Sequence, residues 1–178
     1  MNCTDEIEHA VAVVGSGPVG QDRAAVFVHE GKLVGVVADG AGGTFGGAQA
    51  ADLVIERVRQ TVAGDINLSA PGVWRQVLLE ASLAAESVGQ TTAVVCGAGH
   101  GASIGDSEAW LIKPDRVVDL SVGQPRKPLL GGGFAEPATF GAALEYGDVL
   151  LLATDGLFKY VTAARICELA RQPRLSPD

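Results

Sequence analysis

Four aspartates carry the chemistry this sequence offers. Asp39 ends the apolar run Val36-Val37-Ala38 and is followed by Gly40-Ala41-Gly42-Gly43, while Asp155 ends Val149-Leu150-Leu151-Leu152-Ala153-Thr154 and precedes Gly156. Asp22 follows Gln21, and Asp106 sits between Gly105 and Ser107. Taken singly, Asp-Gly and Gly-Asp are ordinary turn dipeptides. Taken together they point further, because an apolar strand that delivers a carboxylate at its tip, with glycine beside it, presents an oxygen ligand to a cation. If the strands ending in Asp39 and Asp155 are neighbours, two carboxylates meet at one edge of a sheet, and a cation between them relieves their repulsion. Hard oxygen ligands of this kind select magnesium or manganese over softer metals.

A competing pattern lies upstream. Gly15-Ser16-Gly17-Pro18-Val19-Gly20 spells GxGxxG after an apolar segment, with Asp39 about 20 residues on, the spacing of a dinucleotide-binding fingerprint and its ribose acid. That reading, a nicotinamide or flavin oxidoreductase, requires a helix next in the chain. Gln21 to Glu30 instead carries the β-branched and aromatic Val26, Phe27 and Val28, with too few residues before Gly31 for a helix and a turn. A Gly-rich connection between strands is the commoner meaning.

The elements that must position the aspartates are set by periodicity. His9 to Gly15 and Ala24 to Glu30 read as strands, and Gly31-Lys32 as a tight turn into a third, Leu33 to Asp39, giving an antiparallel hairpin. From Thr44 to Ala63 the period becomes helical, with Ala48, Ala51, Ile55, Val58 and Val62 on one stripe. Pro71 suits the first turn of a second helix that buries Trp74, Val77, Leu78, Ala81, Ala85 and Val88 and stops at Gly89. Thr91 to Lys113 returns to strands, broken at Gly99-His100-Gly101 and Gly105-Asp106-Ser107, and Arg116 to Ser121 adds a short one. Val122 to Gly147 is rich in Gly and Pro and reads mostly as loop. Asp148 to Thr154 is an apolar strand, Thr162 caps a last helix bearing Ala163, Ile166 and Ala170, and the tail Pro173 to Asp178 frays. A helix pair between groups of strands implies helices layered on sheet.

Composition sets the outer bounds. The 178 residues suit a single domain, residues 1–178, with its core at about 9–171. Aromatics are only 5% of the chain, so Val, Leu, Ile and Ala must build the core. A net charge of -8 sets the main Coulomb term against nucleic acid and anionic membranes. Cys3, Cys96 and Cys167 are widely spaced and match no zinc or disulfide framework, which suits a reduced cytoplasm. Asp5, Glu6 and Glu8 lie where a signal peptide would be basic or apolar, and no apolar run approaches the roughly 20 residues that span a bilayer. The expectation is a soluble cytoplasmic protein. His9, His29 and His100 read as structural or solvated residues at strand ends and a turn.

Four segments, in order, resemble the motifs of the metal-dependent serine/threonine protein phosphatases of the type 2C (PPM) family. They are Gln21-Asp22, Val36 to Gly43, Thr91-Thr92-Ala93 with Gly105-Asp106-Ser107, and Leu151 to Leu157. The resemblance runs from about His9 to Arg171. It implies an α+β fold, an antiparallel β-sandwich between helix pairs in four αββα layers. It also implies hydrolysis of phosphoserine and phosphothreonine on proteins with two manganese or magnesium ions and a weaker third, the phosphoprotein partners including a cognate kinase or its targets. On that pattern Asp39 bridges two metals, the Gly40 carbonyl and Asp155 each serve one of them, Asp22 is the acid of the N-terminal motif, and Asp106 belongs to the third metal. Two ions about 3.5 to 4 Å apart lower the pKa of a shared water, so that it attacks phosphorus in line without a nucleophilic side chain.

The departures from that pattern set the alternative. Gly17 stands where many members have a phosphate-gripping Arg, Gln21 replaces a frequent Glu, Ala41 a His found in some members, and Glu108 an Arg. No Asp-Asn strand comes after Arg171-Gln172, so the fold is expected to be shortened at its C-terminal end. A chain without that carboxylate fits a catalytically impaired phosphatase-like domain that regulates or binds a partner. The Val122 to Gly147 loop stands at the family's variable flap, with influence on substrate choice.

Overall fold

A computed structural model describes residues 8–14, 20–42 and 45–172. Its first hairpin pairs β1 (Asp22–His29) with β2 (Lys32–Asp39) in a register that sets Asp22 opposite Asp39 at one end and His29 opposite Lys32 at the other. The two-residue turn Glu30-Gly31 has positive φ at both positions, 49° and 74°, the geometry that matches strand twist in short hairpins. The segment after Gly20 is therefore a strand. The dinucleotide fingerprint fails for want of its helix, although residues 15–19 themselves lie outside the described residues.

Helices α1 (Gly47–Ala63) and α2 (Val73–Ala85) come next, then β3 (Ala93–Gly97), β4 (His100–Ile104) and β5 (Glu108–Ile112). β6 (Val117–Asp119), β7 (Ala138–Gly141), β8 (Val149–Ala153), α3 (Asp155–Tyr160) and α4 (Ala163–Ala170) complete the order. Five strands form one antiparallel sheet in the order β1-β2-β3-β4-β7, and three form a second, β6-β5-β8.

Alternation along β2 divides the core. Val34, Val36 and Ala38 face α1 and α2 and join Val54, Val58, Trp74, Val77, Leu78, Val95 and Ile104 in the main apolar cluster. Trp74 is buried there with its indole N–H donated to the Gly97 carbonyl at 3.1 Å. On the opposite face, Val37 and Val94 pack with Ala109, Leu152 and Phe140 between the sheets. Ile112, Ile166 and Cys167 close the far side of the second sheet under α3 and α4, with Trp110 and Phe158 ring centroids 4.6 Å apart. The layers are helix pair, sheet, sheet, helix pair, the αββα arrangement that the resemblance implies.

Several sequence expectations are corrected. Residues 9–14 form no strand, and Gly15 lies outside the described residues. β-branched composition favours a strand only where a neighbour and a buried face exist, and Val11, Val13 and Val14 are exposed. α1 starts at Gly47, with Thr44 outside the described residues, and buries Gly47, Ala50, Ala51, Val54, Val58 and Val62, so Ala48 and Ile55 flank the stripe rather than build it. Pro71 precedes α2, whose N-cap is Gly72 at φ 79°, and the helix ends at Ala85, before Val88 and Gly89. The Gly-rich stretch contributes β7 as an edge strand on β4. α3 leaves no signature in the sequence, because six residues are too few to show a helical period. The Thr162 cap is present, its hydroxyl accepting from the Arg165 amide at 3.4 Å. Residues 173–178 lie outside the described residues.

Candidate metal centre

The four aspartates reach one end of the sandwich by four routes. Asp39 is the last residue of β2, Asp22 the first of β1 directly across from it, Asp106 lies on the connection by which β4 crosses to β5, and Asp155 opens α3 after β8. Carboxylate oxygens of Asp39, Asp106 and Asp155 all lie within 4.8 Å of one another. Asp22 stands outside that triad but hydrogen-bonds the Asp39 carboxyl across the hairpin. Gly40 is buried beside Asp39, and a Cβ there would overlap the backbone carbonyl of Gly47 at the start of α1. Only glycine lets the β2 tip lie this close to the helix.

Polar residues with no role assigned from sequence lock the tip in place. The Thr91 hydroxyl donates to the Asp39 carbonyl at 2.9 Å, and the Thr92 amide donates to the same carbonyl at 2.9 Å. The Asp39 amide donates to the Thr92 hydroxyl at 3.2 Å, and that hydroxyl lies 2.6 Å from the buried Ser107 hydroxyl. The Asp39 strand and the Asp106 loop are thereby tied through one buried hydroxyl pair. The signal in the sequence is two threonines immediately before a wholly apolar strand, where polar side chains must find partners.

Burial pushes the Asp39 carboxyl up from 3.8 to about 7, helped by Asp22, first through its charge and then through its hydrogen bond, and by the charges of Asp155 and Asp106. Lys159 offsets part of this negative charge. It lies one helical turn after Asp155, its ammonium pairs with the Asp155 carboxylate, and Asp106 and Asp39 add to the field that holds it charged. The sequence gives no sign of Lys159 because it gives none of α3. Arg23, although next to Asp22, turns away, its guanidinium bound to the Asp52 carboxylate and to the Gly20 and Asp22 carbonyls.

The donors are carboxylate oxygens held close, with Asp39 pushed up by burial and by its neighbours' charge, and such a set fits a hard divalent cation. No cysteine nucleophile competes for the role among the described residues. Cys96 and Cys167 are buried, and burial pushes the Cys96 thiol up to about 12.

No family model matches the sequence, and no curated protein does. Solved structures do match. A bacterial serine phosphatase is 21% identical, with a TM-score of 0.79 over 90% of this chain and 81% of its own. The chain has the type 2C phosphatase fold. The serine/threonine phosphatase Stp1 from Staphylococcus aureus matches over 96% of this chain and 89% of its own, at 19% identity and a TM-score of 0.76. The catalytic domain of the serine/threonine protein phosphatase PstP, solved in complex with two manganese ions, matches over 90% and 81% at 20% identity and a TM-score of 0.67. Among the described residues of this type 2C fold, no helix is long and apolar enough to cross a membrane.

Proposed function

We propose that this chain is a divalent-metal-dependent phosphatase that hydrolyses phosphoserine and phosphothreonine on proteins, the targets of a serine/threonine kinase among them, in the cytoplasm. The observation that carries the reading is the convergence of Asp39, Asp106 and Asp155 from three separate connections onto one point, within 4.8 Å, in a fold shared with bacterial serine/threonine phosphatases.

Asp39, with Asp22 behind it, and Asp155 would hold the principal manganese or magnesium ions, with the Gly40 carbonyl as a further oxygen ligand and Asp106 as the ligand of a weaker third. Bound there, the ions supply an acidified water and the positive charge that phosphoryl transfer demands. The protein's own contribution is position. The threonine pair fixes the Asp39 backbone, Ser107 couples it to the Asp106 loop, and Asp22 faces Asp39 across the hairpin.

Purified protein should hydrolyse p-nitrophenyl phosphate and a phosphothreonine peptide with manganese and lose the activity to a chelator. Asp39→Asn should lower turnover at least about 100-fold and weaken manganese binding followed by paramagnetic resonance of the free ion. Activity that survives chelation, or an unaltered Asp39→Asn variant, would sink the reading. Two bound ions without turnover would point instead to a domain that binds phosphoproteins.

A further inference from the structure

Asp22, Asp39, Asp106 and Asp155 all repel a phosphate monoester dianion that approaches this end of the sandwich, so a cation of the chain beside them would favour its binding. Arg23 is engaged by Asp52 and by two backbone carbonyls, and Lys113 is bound to Asp148 and Glu145 at the other end of β5. Lys159 is differently placed. Its ammonium already sits at the carboxylate cluster on Asp155, while its side chain is 63% exposed and therefore tethered only at its tip. The lysine stem has four rotatable carbons, so the tip can move without moving α3.

We propose that Lys159 is the phosphate-gripping cation of this centre, its exposed stem letting the ammonium reach from Asp155 to the phosphoryl oxygens of a bound substrate. The inference rests on the metal-dependent phosphatase reading. No bond is made or broken by Lys159, whose contribution is a charged hydrogen bond to the substrate.

The test compares the wild type with Lys159→Met, Lys159→Arg and Lys127→Met. Lys127 is an exposed cation on the loop that Pro125 anchors to the Gly105 amide at 2.9 Å, which makes its variant a control for general charge near the centre. Manganese affinity is read by titration, orthophosphate binding to the manganese-loaded protein by calorimetry, and turnover with p-nitrophenyl phosphate. Lys159→Met should bind manganese about two- to fivefold more tightly, since a competing cation is gone. It should bind orthophosphate about tenfold more weakly and raise KM more than it lowers kcat. Lys159→Arg should keep most of the phosphate affinity, and Lys127→Met nearly all of it. Unchanged orthophosphate binding in Lys159→Met overturns the proposal, as does an equal loss in Lys127→Met. A wild type that binds manganese and turns over, with Lys159→Met indistinguishable from it, overturns this inference alone; a wild type that binds no manganese overturns the phosphatase reading with it.

Discussion

The two strand tips that supply Asp39 and Asp155 read alike in sequence and differ in how they are held. β2 lies between β1 and β3, with Val36 and Ala38 almost wholly buried, and its tip is latched by Thr91 and Thr92. β8 lies at the edge of the smaller sheet, is fully buried only at Ala153, and runs into a six-residue helix with no buried side chain. Asp155 is steadied by an exposed lysine rather than by buried hydroxyls. A centre built this way has a fixed side and an adjustable one. The rigid half defines where a cation goes, and the looser half can adapt to what the cation brings with it.

The sharpest way to break the contrast is Gly40→Ala. The new methyl would overlap backbone of α1, which cannot yield as a side chain does, so a loss of about 3 kcal/mol is expected in denaturant unfolding. Next comes the latch. Thr92→Val keeps the shape but strands the Ser107 hydroxyl, a cost of about 1–3 kcal/mol, with weaker manganese binding because the Asp39 and Asp106 loops are uncoupled.

A subtler measure is pH. Asp39 in the metal-free fold holds its proton up to about 7, against an ordinary 3.8, so the folded chain binds a proton that the unfolded chain has released. Its contribution to stability is present below pH 3.8 and is gone once pH passes 7. In chelator the unfolding temperature should therefore fall by a few degrees from pH 5 to pH 8, solvent screening keeping the effect small, and Asp39→Asn should flatten that slope. Manganese should reverse the slope, because it competes with the departing proton. A metal-free unfolding temperature that rises over this range would contradict the crowding of carboxylates at Asp39.

Much of the framework is legible in the sequence because most of its strands and both long helices carry a clear period. The apolar rows of β2, β3 and β8 and the stripe of α2 could hardly mean anything else, and Asp39 and Asp155 stand out as charged ends of apolar runs. The failures have common causes. Residues 9–14 have the right side chains for a strand and no described partner, and strand formation depends on the partner. α3 is shorter than two turns, and β7 hides in a Gly- and Pro-rich stretch because an edge strand needs few residues. The threonine latch depends on distances across the fold, Thr92 to Asp39 and Thr92 to Ser107, which no local pattern encodes, and the Asp155–Lys159 pair spans one turn of a helix too short to show a period.

The close approach at Gly40 is one of a series. A Cβ on Gly46 would strike the Val88 carbonyl, one on Gly89 would strike Gly46, and one on Gly131 would strike the Gly89 carbonyl, so three connections lie main chain upon main chain. For anyone diversifying this scaffold, the consequence is a map of permission. Substitutions are best tolerated at Phe134, Glu136 and residues 143–147, which face solvent, while at the glycine crossings any Cβ meets main chain.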